Sequence, residues 1–98
     1  MREGYTIIDR NWRCRRGEID IVASRDRMVV IVEVKTRRST RFGPPLESIT
    51  DEKALRLRAL SKEWMRATGT RARLRIDAIG ILLSSSEPMR LDHVRAVA

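Results

Sequence analysis

Polar and apolar residues alternate in two places between Gly17 and Arg37, over Glu18–Val22 and again over Glu33–Lys35. A β-branched run, Met28–Val32, leads into the second of these, and turn-type residues 25–27 separate the two halves. This pattern predicts a β-hairpin. If its loop holds two residues (Asp26 and Arg27) or four (Arg25 to Met28), one face is wholly apolar. That face contains Ile19, Ile21, Ala23, Val30, Val32 and Val34, and an odd loop would mix charge into it.

The opposite face of the predicted hairpin concentrates charge. Asp20 is expected opposite Glu33, and Glu18 opposite Lys35. Opposed carboxylates repel, and a hard cation such as Mg²⁺ would remove the conflict. Ordinary cross-strand salt bridges on a solvated face are the alternative. A lysine at position 35 favours a chemical role, because nearly all of the 21 basic residues are arginines and the two side chains differ in chemistry.

Two motifs carry a resemblance to a known family. Asp20, followed on the next predicted strand by Glu33-Val34-Lys35, resembles the core of the PD-(D/E)xK nucleases. The wider sequence is similar to the YraN-like family, a largely uncharacterised bacterial family related to archaeal Holliday-junction resolvases. The matching strings are Arg10-Asn11-Trp12-Arg13, Gly17-Glu18-Ile19-Asp20, Val32-Glu33-Val34-Lys35-Thr36-Arg37, the helix with Lys53, and Arg75-Ile76-Asp77.

The resemblance implies a restriction-endonuclease-like α/β fold and a Mg²⁺ (or Mn²⁺) site at Asp20 and Glu33, completed by the Val34 carbonyl. It makes Lys35 the catalytic lysine and places Lys53 near the active site. Glu18 would bind a second metal or pair with Lys35. Family members usually begin with a helix whose acidic residue, in related resolvases, helps to complete the site. The residues before Gly4-Tyr5 do not supply it, so we expect a site without it.

The charge of the chain points to a polyanionic partner. A net charge of +8 and a pI near 11.2 favour nucleic acid, through release of counterions from phosphates. Arg-rich composition, with many arginines paired to acids, is the alternative. A loop is predicted from Thr36 to Pro45, and its arginines either clamp a DNA backbone beside the metal or are simply solvated. The expected DNA-binding residues are Arg13, Arg15, Arg16, Arg37, Arg38, Arg41 and Lys53.

The remaining elements complete a mixed sheet of about five strands with one packed helix. An edge strand is predicted over Tyr5 to Trp12, with Tyr5, Ile7 and Asp9 on one side. The helix begins at Ser48 or Thr50 and ends at Gly69. Its apolar stripe is Ala54, Leu57, Leu60, Trp64 and Ala67. Strands follow over 71–83 and 89–94; Asp77 is expected to pair with Arg75 or the basic loop.

Composition narrows the class of protein. Residues 1–98 are expected to form one domain, and the apolar runs are too short to cross a bilayer. A lone Cys14 fits the reducing cytoplasm. The single His93 lacks the partners of a zinc site or a hydrolase triad and is expected at the surface or at a strand end. We expect a Mg²⁺-dependent DNA endonuclease acting on branched or damaged DNA. The alternative is a non-catalytic basic DNA-binding module, and a homodimer would suit symmetrical DNA.

Overall fold

The computed structural model describes residues 4–38, 50–84 and 88–97. In chain order the elements are β1 (Thr6–Cys14), β2 (Gly17–Arg25), β3 (Met28–Arg37), α1 (Asp51–Thr68), β4 (Arg73–Leu82) and β5 (Arg90–Val94). The five strands form one sheet in the order β1-β2-β3-β4-β5. Only β3 and β4 are parallel, and α1 lies in the crossover that a parallel pair requires. The predicted mixed sheet with one main helix is confirmed.

The hairpin of β2 and β3 has the predicted even loop. Asp26 and Arg27 both have positive φ, 50° and 64°, as a two-residue hairpin turn of the favoured hand demands. The ladder then pairs Arg25 with Met28 and continues in register to Ile21 opposite Val32. Burial of one apolar face therefore selects the register that parity predicted.

Beyond Ile21 the two strands of the hairpin stop pairing in the predicted way. The carboxylate of Asp20 accepts the backbone N–H of Val34 at 2.9 Å, so a side chain replaces the next rung of the ladder. Alternation is lost at this point, and Ile19 packs into the core beneath α1 instead of sharing a face with Ile21. The prediction of one continuous apolar face from Ile19 to Ala23 is wrong for this reason.

The sheet buries apolar side chains on both faces. On the α1 side, the helix residues Leu57, Leu60 and Trp64 pack against Ile31 and Ile76. On the other side a smaller cluster comprises Tyr5, Ala23, Val30 and Val32, with Ile21, Met28, Val34 and Ile79 packed against it. The helix α1 therefore packs on one face of the sheet only.

The helix ends are capped as the sequence predicts. The Thr50 hydroxyl accepts the backbone N–H of Lys53 at 3.2 Å. At the other end Gly69 has φ 68° and ψ 19°, a left-handed conformation that costs glycine little. Ala67 is exposed, so the apolar stripe ends one turn earlier than predicted, at Trp64. No helix in the described ranges combines the length and apolarity that a bilayer crossing requires.

Strand β1 is an edge strand, as predicted, but its alternation is interrupted. A register shift between Ile7 and Asp9 exchanges the two faces of the sheet toward which successive side chains point. Tyr5 consequently joins the cluster away from α1, whereas Asp9 accepts the indole N–H of Trp64, a helix residue, at 2.9 Å. The prediction that Tyr5 and Asp9 lie on one side is wrong because of this bulge.

Strand β3 is longer than the sequence predicts. Thr36 and Arg37 continue its parallel pairing with β4, opposite Ile81 and Leu82, and the Arg37 carbonyl accepts the N–H of Leu83 at 2.8 Å. The predicted loop therefore begins two residues later. Its remainder, including Arg41, lies outside the described residues apart from Arg38.

Candidate active site

Asp20 is held in a fixed orientation by the backbone of the neighbouring strand. Its Oδ2 accepts the N–H of Val34 at 2.9 Å, across the point where the β2–β3 ladder ends. One carboxylate oxygen is thereby committed to β3, the strand that also carries Glu33. The break in the ladder is thus what positions Asp20.

Glu33 is a largely buried acid whose pKa is shifted by its surroundings. Its side chain is 17% exposed, and Lys35 Nζ lies 3.4 Å from its Oε1. The pKa of Glu33 is raised, first by burial and then by the negative charge of Asp20, while Lys35 and Lys53 oppose the shift. Asp20 is therefore close enough for the two carboxylates to repel, as the sequence predicts for this pair.

Glu18 does not join that pair. The β1–β2 ladder places it opposite Arg13, and Arg13 Nε lies 3.4 Å from its Oε2. The expected cross-strand pair of Glu18 with Lys35 is therefore wrong, because Lys35 associates with Glu33. Within the described ranges, no three His, Cys, Asp or Glu side chains are grouped closely enough to hold a metal ion. The pair of Asp20 and Glu33, rather than a cluster of three carboxylates, is what the fold assembles.

A cleft of about 240 Å³ opens beside this pair, between the β1–β2 turn, β3 and the first half of α1. Apolar atoms from Leu57 and Leu60 form part of its wall, next to Gly17. Charged residues form the rest, and these are Arg16, Glu18, Glu33, Lys35, Lys53 and Arg56. The cleft thus carries four cations and two carboxylates, a balance suited to a phosphate-bearing ligand.

Two of the charged residues of this cleft come from the helix α1. Lys53 lies in the first turn of α1 and reaches the same space as Glu33 and Lys35. Lys53 therefore lines the same cleft as Glu33 and Lys35. Arg56, one turn on, lines the cleft as well and was not predicted as a site residue. The i, i+3 spacing from Lys53 is the signal that could have identified it.

The other predicted DNA-binding arginines are dispersed. Arg16 lines the cleft and lies 3.7 Å from Glu63 of α1. Arg15 is exposed, beside Cys14. Arg37 is half-buried in β3, whereas Arg38 is exposed and borders a separate hollow with Leu83, Ser84 and Met89. The fold therefore brings Arg16 and Lys53 to the candidate site, and leaves Arg15 and Arg38 outside the cleft.

A second polar cluster lies on the sheet face away from α1, around the fully buried Asp77. Arg75 donates to both of its carboxylate oxygens at 2.8 Å, the Ala96 N–H donates at 3.0 Å, and His93 Nε2 lies 2.8 Å away. Arg75 also donates to the Tyr5 hydroxyl at 2.5 Å. The expected pairing of Asp77 with Arg75 is confirmed. His93 is a bonded member of this cluster rather than a simple surface histidine.

Hydrogen bonds within this second cluster shift the pKa values of both Asp77 and Arg75. Burial alone would raise the pKa of Asp77, but the bonds from Arg75, Ala96 and His93 outweigh it and lower that pKa. The pKa of Arg75 is raised by its bonds to Asp77 and Tyr5. Since the buried carboxylate receives several donors, the cluster links β4, β5 and the residues that follow β5.

The fold and the cleft define a small mixed α/β protein with a charged site at one end of its central hairpin. A family model described as "Uncharacterised protein family UPF0102" matches residues 1–81, and the chain belongs to this family. This is the YraN group, so the resemblance noted in the sequence is confirmed at the level of the family.

Similar proteins cover nearly all of the chain. A UPF0102 protein of Renibacterium salmoninarum is 48% identical over 97 residues, which is 98% of this chain and 82% of that protein. One of Leifsonia xyli subsp. xyli is 50% identical over 95 residues, covering 96% and 80%. A third, of Nocardioides sp., is 43% identical over 96 residues, covering 97% and 77%.

Proposed function

We propose that this protein is a Mg²⁺-dependent DNA endonuclease that hydrolyses phosphodiester bonds, with branched or damaged DNA as its substrate. The observation that carries the proposal is the pairing of Asp20 and Glu33 beside Lys35, next to a cleft lined by further cations. The resemblance to PD-(D/E)xK nucleases and the net charge of +8 point the same way.

The two carboxylates fit a hard divalent cation. Asp20 is oriented by the Val34 N–H, and Glu33 carries a raised pKa because burial and Asp20 both disfavour its ionised form. A cation between them would relieve this repulsion, and Mg²⁺ needs only one or two protein carboxylates since it keeps several waters. When bound, Mg²⁺ supplies a water of lowered pKa and neutralises charge on the phosphoryl group.

The remaining steps belong to the side chains of the cleft. Lys35, held 3.4 Å from Glu33, would orient the attacking water or stabilise the charge that develops on the phosphate oxygens. Lys53 and Arg56 of α1, together with Arg16 of the β1–β2 turn, would bind the scissile and neighbouring phosphates. These contacts read the backbone and carry no sequence information, which suits a nuclease that recognises DNA shape.

A non-catalytic basic DNA-binding module is the second candidate, and one observation favours it. Glu18 is paired with Arg13, so the described part of the site holds two carboxylates close together rather than three. A site of this kind could have lost metal affinity while the basic cleft kept its attraction for phosphates.

Calorimetry with Mg²⁺ and Mn²⁺ separates the two candidates. Saturable binding to the wild type is expected, with loss of binding in Asp20→Asn/Glu33→Gln. The matched control Asp26→Asn/Glu52→Gln removes the same charge from two exposed acids and should bind normally. Absence of metal binding by the wild type would refute the nuclease and leave the second candidate.

Cleavage of labelled branched and linear DNA completes the test. The wild type should cut in Mg²⁺, and the double variant should not. Lys35→Met should lose cutting by 10²-fold or more, on the order expected for removal of one charge-stabilising donor, while keeping metal affinity. Salt-dependent binding without cutting by a metal-loaded wild type would support the DNA-binding module instead.

A further inference from the structure

The two outer edges of the sheet differ in how they are protected. Edge strands expose unpaired backbone groups, and proteins usually block them with bulges or charges. Strand β1 has both a bulge between Ile7 and Asp9 and a positive φ of 51° at Asn11. Strand β5 has no such irregularity, because it pairs with β4 in one register from Val94 opposite Ala78 to Arg90 opposite Leu82. Its charged residues, Arg90 and Asp92, are of opposite sign and pair with each other. All five of its residues are exposed.

Exposed apolar side chains gather along this regular edge. Across the described residues, five large hydrophobic side chains are exposed, and three of them belong to β5 or the residue before it. They are Met89 at 63%, Leu91 at 54% and Val94 at 43%. Clustered apolar exposure beside a regular edge strand is typical of a strand that pairs with another chain.

The sequence of β5 is complementary to itself in one antiparallel register. With the two-fold axis at Leu91, the Leu91 residues of two copies oppose each other, and Arg90 of each copy opposes Asp92 of the other. Arg90 and Asp92 lie on one side of their own strand, where Arg90 Nε is 3.5 Å from Asp92 Oδ2. An axis at Asp92 would instead oppose two carboxylates, which is unfavourable.

We propose that β5 pairs with β5 of a second copy of this chain in that register, giving a two-fold homodimer with a continuous sheet. Such an interface is isologous, as the commonest homodimers are. None of the residues that line the candidate cleft comes from β5. The dimer therefore leaves both clefts open, and the proposal does not rest on nuclease activity.

Disulfide trapping tests the register directly. In a Cys14→Ser background, Leu91→Cys places two thiols opposite each other at a Cβ separation of about 4.5–5.5 Å, close to what a disulfide spans. Mild oxidation should convert most of the protein to a covalent dimer. Val94→Cys is the matched control on the same exposed strand, and it should stay monomeric because Val94 would lie opposite Pro88. Cross-linking at Val94 but not at Leu91 would overturn the proposal.

Sedimentation velocity of the unmodified chain tests the association itself. The wild type should shift from monomer to dimer with concentration. Asp92→Arg should raise the dimer dissociation constant about tenfold or more, because two opposed pairs become like-charged. Arg90→Asp/Asp92→Arg should restore the dimer, since exchanging both charges recreates the complementarity. Ile8→Glu, on the opposite edge, should have no effect. A wild type that stays monomeric at all concentrations, or a double exchange that fails to restore, would overturn the proposal.

Discussion

Replacing Asp77 with Asn should destabilise the protein strongly, because the carboxylate is fully buried and takes part in several bonds. It accepts hydrogen bonds from Nε and Nη2 of Arg75, both at 2.8 Å, and from the Ala96 N–H at 3.0 Å. The amide of Asn has a similar shape but no charge, and half of it donates rather than accepts. Arg75, whose side chain is 19% exposed, would be left without its ion-pair partner.

The magnitude follows from the burial of this pair. Removing one partner of a buried ion pair costs roughly 3–5 kcal/mol, since the other charge stays desolvated. The partial exposure of Arg75 places the loss at the lower end, about 3 kcal/mol. For a domain of this length, that corresponds to a fall in Tm of roughly 12–24 °C. Glu52→Gln, which removes an exposed acid paired with Arg56, should change stability by less than about 0.5 kcal/mol.

Urea denaturation followed by circular dichroism measures this loss, and its pH dependence checks the cause. Because the pKa of Asp77 is lowered in the folded state, its contribution is present above the unfolded pKa, about 4, and is lost as the pH falls through the folded value. The difference between wild type and Asp77→Asn should therefore shrink in acid. A loss below about 1 kcal/mol at pH 7, or one equal at pH 7 and pH 3, would refute the reasoning.

Two further predictions concern the candidate site and the bulge of β1. Because the pKa of Glu33 is raised in the folded state, its contribution to stability is present below the unfolded pKa and is lost as the pH rises through the folded pKa. The free energy of unfolding of Glu33→Gln at pH 7 should therefore exceed that of the wild type by about 0.5 kcal/mol. A urea titration that shows the same gain at pH 3.5 would contradict this. Trp64→Phe should cost about 1 kcal/mol, because Asp9 loses the indole donor at 2.9 Å. Asp9→Ala should cost a similar amount, and near-additive losses in the double variant would show that the two side chains do not interact.

The site was predictable wherever it depends on spacing along one strand or across one turn. Glu33 and Lys35 are two residues apart in a strand, so they share a face in any fold that keeps the strand, and their atoms lie 3.4 Å apart. Lys53 near the site came from the family resemblance. Glu18 could not be assigned in the same way, because its partner depends on β1 pairing as well as on the hairpin, and β1 supplies Arg13.

Breaks in alternation decided the rest of the site. Asp20 replaces a backbone rung by accepting the Val34 N–H, which sends Ile19 to the helix side of the sheet. The residue types of the sequence do not indicate such a break, because the hydrogen bond from Val34 to Asp20 forms only when β3 lies beside β2. Arg56 likewise became a cleft residue only because α1 packs across the end of the hairpin.

The sequence by itself determined the hairpin register, the helix caps and the strongly basic charge. Each of these follows from local rules: strand parity, turn residues with positive φ such as Asp26, and caps such as Thr50 and Gly69. Only the tertiary structure decided the rest of the cluster around Asp77 and Arg75, since His93 approaches Asp77, and Tyr5 approaches Arg75, from distant parts of the chain. Such contacts form because a buried charge must be satisfied by whichever donors the folded sheet brings within reach.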